Sequence, residues 1–320
     1  MLTPAPPPMP SNPSPAQPPR LTDRAALGRQ RARAEAQGAE DWLHRIVQDE
    51  TEDRLAAINR RFTAPAVVTG NPRFWAAAMP GAKIVPDDPV LALEPGAHDL
   101  VIHALALHWA DDPVGQIVQS ARALRPDGLF LAALPGGDTL APLRDALAQA
   151  EIELTGGLSP RVAPMGEIRD LGALLQRAGL ALPVADQINQ KVSYRDLFHL
   201  ARDLRAMGEG NALDRRLRHP TRRAVFLRAA EILAASAADP EQPGRIRLGC
   251  DLVFLTGWAP DASQQKPLRP GSARSSLAEA LKPGGATAED RKPDSQKPDA
   301  GTSPAIPDAP APDQAEPRET

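Results

Sequence analysis

The chain is predicted to be an α/β protein with a mostly parallel central sheet, and three features of its middle third carry that prediction. First, the apolar run Leu100 to Leu107 ends at His108-Trp109-Ala110-Asp111-Asp112-Pro113, after which apolar residues recur at helical spacing at Val114, Ile117, Val118, Ala121 and Leu124. A buried strand feeding an amphipathic helix produces that change of period. Second, Arg125-Pro126-Asp127-Gly128 supplies turn chemistry, with Pro fixing φ and Asp-Gly reversing the chain. Third, Leu129 to Leu134 resumes as another apolar run, followed by Gly136, Gly137 and Asp138. Parallel strands joined by a crossover helix form the unit of open α/β sheets, whose ligands sit beyond the carboxyl ends of the strands. His108, Trp109, Gly136, Gly137 and Asp138 are expected there.

The other elements follow in chain order. Thr22 to Arg61 is rich in Ala, Arg and Glu, with Trp42, Leu43, Ile46, Val47, Leu55 and Ile58 spaced for two helices over the sheet. Arg24, Arg29, Arg31 and Arg33 form a basic face there, read as solvated. Ala66 to Thr69 is the first strand, followed by Gly70-Asn71-Pro72, a short helix to Met79 and a second strand, Lys83 to Val85, that runs into Asp87-Asp88. In nucleotide-binding α/β folds the first turn brings backbone N–H groups to the ligand, and an acid after the second strand grips ribose hydroxyls. Gly70, Asp87 and Asp88 hold those positions. Past Asp138, helices are expected over Leu140 to Leu154 and Glu167 to Ala178, the latter stopped by Gly179. A strand from Leu180 to Val192, helices over Tyr194 to Met207 and Leu213 to Ala238, and a long strand from Arg245 to Trp258 complete the pattern. The resulting division is a Pro-rich tail (1–20), a helical cap (21–62), an α/β domain (63–259) with a helical lid (about 194–238), an extended segment (260–282) and a second tail (283–320). Nine of the 36 prolines fall in residues 1–20 and eleven after Ala259, so neither tail is expected to propagate helix or sheet.

Several short motifs, taken together and in this order, resemble the class I S-adenosylmethionine (SAM) methyltransferases. Within them, the similarity is to the branch that includes the methyltransferase-type mitochondrial complex I assembly factor. The motifs are Ala104 to Trp109, Arg125 to Gly128, Gly136 to Leu140, Gly156 to Pro160, Asp170-Leu171-Gly172, Met207-Gly208-Glu209-x-Asn211 and Thr256-Gly257-Trp258, within a resemblance spanning about Leu21 to Leu281. The resemblance implies a Rossmann-like methyltransferase fold whose last strand pairs antiparallel with its predecessor, here separated from it by the lid. It also implies SAM as cofactor and a protein substrate, a subunit of respiratory complex I, in the assembly of that enzyme. Arginine hydroxylation, associated with eukaryotic relatives, and a non-catalytic assembly or binding role are the alternatives. The chain departs from the family at its first turn. Val67-Val68-Thr69-Gly70-Asn71-Pro72 has one glycine where the family has three, no carboxylate at the strand, and a proline that removes an N–H donor. The stretch between Asp88 and Asp99 is also too short for the usual second crossover.

Candidate catalytic residues are His108, Asp138 and Arg161. Candidate cofactor contacts are Gly70, Asp87, Asp88, His108 and Trp109, and candidate substrate contacts are Gly136, Gly137, Asp138, Thr139, Glu209 and Asn211. Asp138 and Thr139 also suit a helix start, and Arg161, in a loop short of charge, is a partner for Asp138 or for a ligand carboxylate. His103 and His108 fall on opposite faces of a strand, so no shared metal is expected. Cys250 stands alone, which rules out an intrachain disulfide. Net charge of −3 gives no general field for nucleic acid. No run reaches a membrane span. With no basic-then-apolar leader at the start, a cytoplasmic location is expected.

Overall fold

A computed structural model describes residues 20–264; the expectations for residues 1–19 and for the chain after Gln264 lie outside the described residues. Helices α1 (Arg24–Ala36) and α2 (Trp42–Ala57) precede β1 (Pro65–Thr69), α3 (Pro72–Ala78), β2 (Lys83–Pro86) and β3 (His98–Ala104). A one-turn 3₁₀ helix at Leu107–Trp109 leads to α4 (Pro113–Ala123), β4 (Leu124–Gly136), α5 (Ala141–Thr155), α6 (Ile168–Arg177) and β5 (Ala181–Tyr194). The lid helices α7 (Leu197–Ala206) and α8 (Arg223–Ser236) then come before β6 (Ile246–Trp258). The strands form one six-stranded sheet in the order β2-β1-β3-β4-β6-β5. The first four are parallel, and β6 runs antiparallel to both β4 and β5. The fold is Rossmann-like α/β, as the sequence predicts, and β2 connects to β3 without a helix.

Local chemistry explains the boundaries. Asn71, the residue after Gly70, accepts a hydrogen bond from the Phe74 amide at 3.2 Å, and Pro72 opens α3. Asn at the cap and Pro at the first helical position is a strong helix start, because the proline's missing N–H would have had no intrahelical partner. Asp112 and Pro113 start α4 in the same way, with Asp112 Oδ1 accepting from Gly115 at 2.8 Å. Gly179, at φ +81°, terminates α6. Alternate residues of the sheet feed two cores. Val68, Val101, Phe130, Ala132 and Val253 pack under α4 and α6, and Val67, Leu100, Ile102, Leu131 and Phe254 pack beneath α2 and α3. Every residue of β3 is buried, the pattern of a central parallel strand. A third core joins the lid to α5 through Leu143, Leu147, Leu197, Leu200, Val225 and Leu248.

Several expected boundaries shift. The turn expected at Arg125 to Gly128 falls inside β4 as an irregularity between the His98–Leu124 and Leu100–Leu129 pairs, with Asp127 at φ +57°, and β5 runs on to Tyr194, where a helix was expected. The apolar run of β3 stops being strand at Ala104, because Leu105 takes a left-handed conformation (φ +48°) and starts the 3₁₀ turn. The helix expected from Leu213 begins only at Arg223. Pro220 lies in the intervening segment, and a proline there breaks the ladder of amide donors.

Candidate functional site

Two separate spaces lie at the carboxyl ends of the strands. At the ends of β1 and β2, the crevice expected for a nucleoside is filled by side chains from α1. Arg31 Nη1 donates to Asp87 Oδ1 at 2.6 Å, and Arg24 donates to Asp87 Oδ2 at 3.1 Å and to its carbonyl oxygen at 2.7 Å. Asp87 is only 2% exposed. Burial opposes its ionisation, but the Arg31 and Arg24 guanidiniums outweigh that and hold its pKa down at about 2. The Arg31 guanidinium rests directly on Gly70, so a Cβ at that position would overlap it. A Cβ on Gly208 would lie 3.1 Å from the Arg31 Cα, and one on Gly210 would lie 2.9 Å from the Gln30 side chain. The basic face of α1, expected to be solvated, therefore turns two of its arginines inward. Asp88 has an exposed side chain and reaches Arg24 only at 3.8 Å.

These residues do not fit SAM. Asn71 is committed to capping α3, Pro72 offers no N–H, Gly70 is covered, and both Asp87 oxygens already have guanidinium partners. The gap left beside Arg24, Asp87, Trp109, Asp111 and Gln116 measures about 70 Å³, room for roughly two waters at about 30 Å³ each. The expected cofactor contacts Gly70 and Asp87 are therefore corrected to partners of α1.

The second space is a cavity of about 300 Å³ beneath the lid, walled by apolar side chains such as Leu143, Leu147, Leu200, Phe226 and Leu248. Its polar lining includes Glu209, His108, His44, Thr139 and Arg161. Glu209 Oε2 accepts from Trp109 Nε1 at 2.7 Å and lies 3.1 Å from His108 Nε2. An indole N–H only donates, so the oxygen is an acceptor and His108 Nε2 carries a proton toward it. Burial raises the Glu209 pKa, but His108, Arg31 and the Trp109 N–H together hold it below the ordinary glutamate value. Glu209 Oε1 has no hydrogen-bond partner among the described residues. Trp109 and His108, expected as cofactor contacts, thus belong to this cavity, with Trp109 also bordering the small gap.

The remaining candidates divide. Thr139 lines the cavity, but its hydroxyl donates to Gly136 O at 2.7 Å and accepts from the Asp251 amide at 2.9 Å. Asn211 also lines it while tying the lid to the preceding loop through Pro160 O at 3.0 Å. Asp138 is exposed and outside the cavity; its amide donates to Asp251 Oδ2 at 3.0 Å and its carbonyl oxygen accepts from the Ala141 amide at 3.0 Å, while its carboxylate has no hydrogen-bond partner among the described residues. Gly136 and Gly137 make room for protein rather than ligand. A Cβ on Gly136 would lie 2.7 Å from Val253 Cγ2, and one on Gly137 would lie 2.7 Å from Asp251 Oδ2. The expected pairing of Arg161 with Asp138 is corrected, because Arg161 binds Glu151 of α5 through two bonds (3.0 and 2.8 Å) and Thr221 at 3.0 Å. His103 is fully buried against Gln116 Oε1 at 2.7 Å and is not part of the cavity lining. The sequence reading did not single out His44. Its Nδ1 accepts from Trp75 Nε1 at 3.1 Å, which leaves the ring proton on Nε2, and burial drives its pKa down to about 4.

No protein-family profile matches the chain. It is 40% identical over 193 residues to "Arginine-hydroxylase NDUFAF5, mitochondrial" of Dictyostelium discoideum, a match covering 60% of this chain and 44% of that protein. It is 34% identical over 210 residues to the protein of the same name from Danio rerio, covering 64% and 63%. It is also 32% identical over 190 residues to "Malonyl-[acyl-carrier protein] O-methyltransferase" of Laribacter hongkongensis, covering 59% and 61%. The chain thus spans between under half and just under two thirds of the lengths of these relatives. It is similar to the methyltransferase branch that contains NDUFAF5, as its motifs imply. The expected cytoplasmic location is overturned, since the relatives at 34–40% identity are named mitochondrial. A single cysteine does not distinguish one reducing compartment from another. Among the described residues, no helix is long and apolar enough to cross a membrane.

Proposed function

We propose that this chain acts on a protein client during assembly of respiratory complex I, holding an arginine side chain of that client in the cavity beneath the lid. Glu209 carries the reading. One carboxylate oxygen is used by His108 and Trp109, and the other has no partner among the described residues in an otherwise mostly apolar cavity. A carboxylate oxygen without a protein partner at the wall of a mostly apolar cavity is matched by a cation, and guanidinium suits a carboxylate better than a point charge does. The relatives named arginine-hydroxylase support the choice of side chain. In this reading Glu209 binds the guanidinium, His108 and Trp109 fix the carboxylate rotamer, and the apolar walls exclude water from the bound group. The misfit at the β1–β2 crevice argues against a methyl transfer from SAM held there.

The test is complementation of a strain lacking the gene. Wild-type protein should restore complex I activity, while Glu209→Gln, which removes the charge and keeps the shape, and Leu147→Trp, which fills the cavity, should not. Mass spectrometry of the complex I subunits should show an arginine whose mass differs between the deleted and restored strains. Normal complex I in the deleted strain, or full restoration by both variants, would refute the proposal.

A further inference from the structure

We infer that the opening of the lid cavity is built for an acidic client segment, in which the arginine received by Glu209 has a neighbouring carboxylate that Arg205 binds. The inference rests on the client reading above and adds to it the chemistry of the residues that flank the bound arginine.

The lid, residues 194–238, holds nine arginines against five acids in a chain whose net charge is −3. Three of those arginines are neutralised within the fold. Arg216 pairs with Asp23, Arg218 with Asp23 and Asp214, and Arg228 with Glu153 and Glu231. The other six, Arg195, Arg202, Arg205, Arg215, Arg222 and Arg223, are all exposed, and none has a carboxylate partner among the described residues. The lid's own acids are already engaged. Asp196 caps α7 by accepting from the His199 amide at 2.7 Å, and Asp203 accepts from the Tyr194 hydroxyl at 2.8 Å. Asp214 and Glu231 lie against arginines, and Glu209 is held by His108 and Trp109.

Arg205 ties this positive rim to the site. It lines the cavity together with Glu209 and is exposed, which places it at the opening, in the last turn of α7 and four residues before the carboxylate. Arg202, three positions earlier, is its neighbour on the same side of that helix. A cation approaching alone is repelled by such a rim on its way to Glu209. A segment with a carboxylate beside its arginine meets both charges at once, guanidinium to Glu209 inside and carboxylate to Arg205 at the opening, and each contact is an oriented, charge-assisted pair. The occupant therefore carries both signs. A nucleic acid or an anionic lipid surface offers phosphates to the rim but nothing cationic to Glu209, so a peptide segment is the class that fits. In this arrangement the rim selects among arginines by their surroundings, and Glu209 holds the one selected.

The probes are three synthetic peptides in a glycine frame, centred on Asp-Arg-Asp, Asn-Arg-Asn or Asp-citrulline-Asp, with binding to the full-length protein followed by fluorescence anisotropy. Asn removes the flanking charges at nearly constant shape, and citrulline does the same for the cation. The wild type should bind Asp-Arg-Asp about five- to tenfold tighter than Asn-Arg-Asn, the modest scale of exposed charge pairs, and added salt should shrink the preference. Arg205→Gln, an exposed change with little effect on folding, should bring the two affinities within about twofold of each other. Equal binding of those two peptides by the wild type, or none, would overturn the inference, as would a preference that Arg205→Gln leaves intact. Asp-citrulline-Asp binding as tightly as Asp-Arg-Asp would also overturn it, since the rim would then be a general anion surface. The client reading fails on a different result, Glu209→Gln leaving the affinity for both arginine peptides unchanged. Loss of both in that variant, with no preference for the flanking acids in the wild type, sinks this inference alone.

Discussion

Replacing Arg161 by Met should destabilise the protein more than any loss of a surface charge. The Glu151 and Arg161 side chains are 7% and 12% exposed, and the guanidinium makes two bonds to the carboxylate, at 2.8 and 3.0 Å. Breaking a buried pair from one side leaves the other charge uncompensated, at a cost of about 3–5 kcal/mol. Ser159 still donates to Glu151 through its hydroxyl and amide, which places the expected loss near the lower end, about 3 kcal/mol. For a domain of this size, roughly 2–4 °C is lost per kcal/mol, so the melting temperature should fall by on the order of 6–12 °C. The double variant Glu151→Gln, Arg161→Met removes the stranded anion and should recover more than half of that loss. Urea unfolding followed by circular dichroism gives both numbers. A single-variant loss below about 1 kcal/mol, the level of a surface pair, would refute the argument, as would a double variant no more stable than the single one.

Two further outcomes are expected. His44 and His103 both have pKa values lowered by burial to about 4 from 6.5, so the unfolded chain binds more protons between those values. Their contribution to stability is full above about pH 6.5 and is lost as the pH falls toward 4, with a slope of up to about 1.4 kcal/mol per pH unit per group. Urea midpoints measured from pH 7 to 4 should decline accordingly, and a flat profile would contradict the burial of the two rings. Gly137→Ala should cost about 2 kcal/mol or more, since the residue combines φ +52° with a Cβ position 2.7 Å from Asp251 Oδ2. Thermal unfolding checks it, and a neutral substitution would mean that the Gly137–Asp251 contact is absent.

The β3-α4-β4 unit was legible because period and capping agree there; Asp112-Pro113 announces the start of α4, whereas Arg125 to Gly128, read as a chain-reversing turn, lies inside β4 as an irregularity in its pairing with β3. The late start of α8 was less legible, since Leu213 to Arg223 has helix-compatible composition and only Pro220 argues otherwise. The site was legible in part. His108, Trp109 and Glu209 were singled out from motifs, but the bonds that join them span about a hundred residues of chain. The closure of the crevice was hidden for the same reason. Arg24 and Arg31 lie 63 and 56 residues from Asp87, and a run of arginines on an Ala-rich helix looks the same whether it faces water or a buried acid. Glu151 was missed because nothing local marks one glutamate of α5 as the buried partner of a loop arginine.

The position of β6 bears on how the molecule comes to exist. Among the described residues it is the last strand to be synthesised, yet it sits between β4 and β5 and is the neighbour that links them. Until Ile246 to Trp258 has left the ribosome, β4 therefore exposes an unpaired edge and the lid hangs from a strand with nothing to pair against. Such edges template association with other chains. The nascent protein thus passes through a sticky interval that ends only when β6 slides into the slot, and holding chaperones have most to do during that interval.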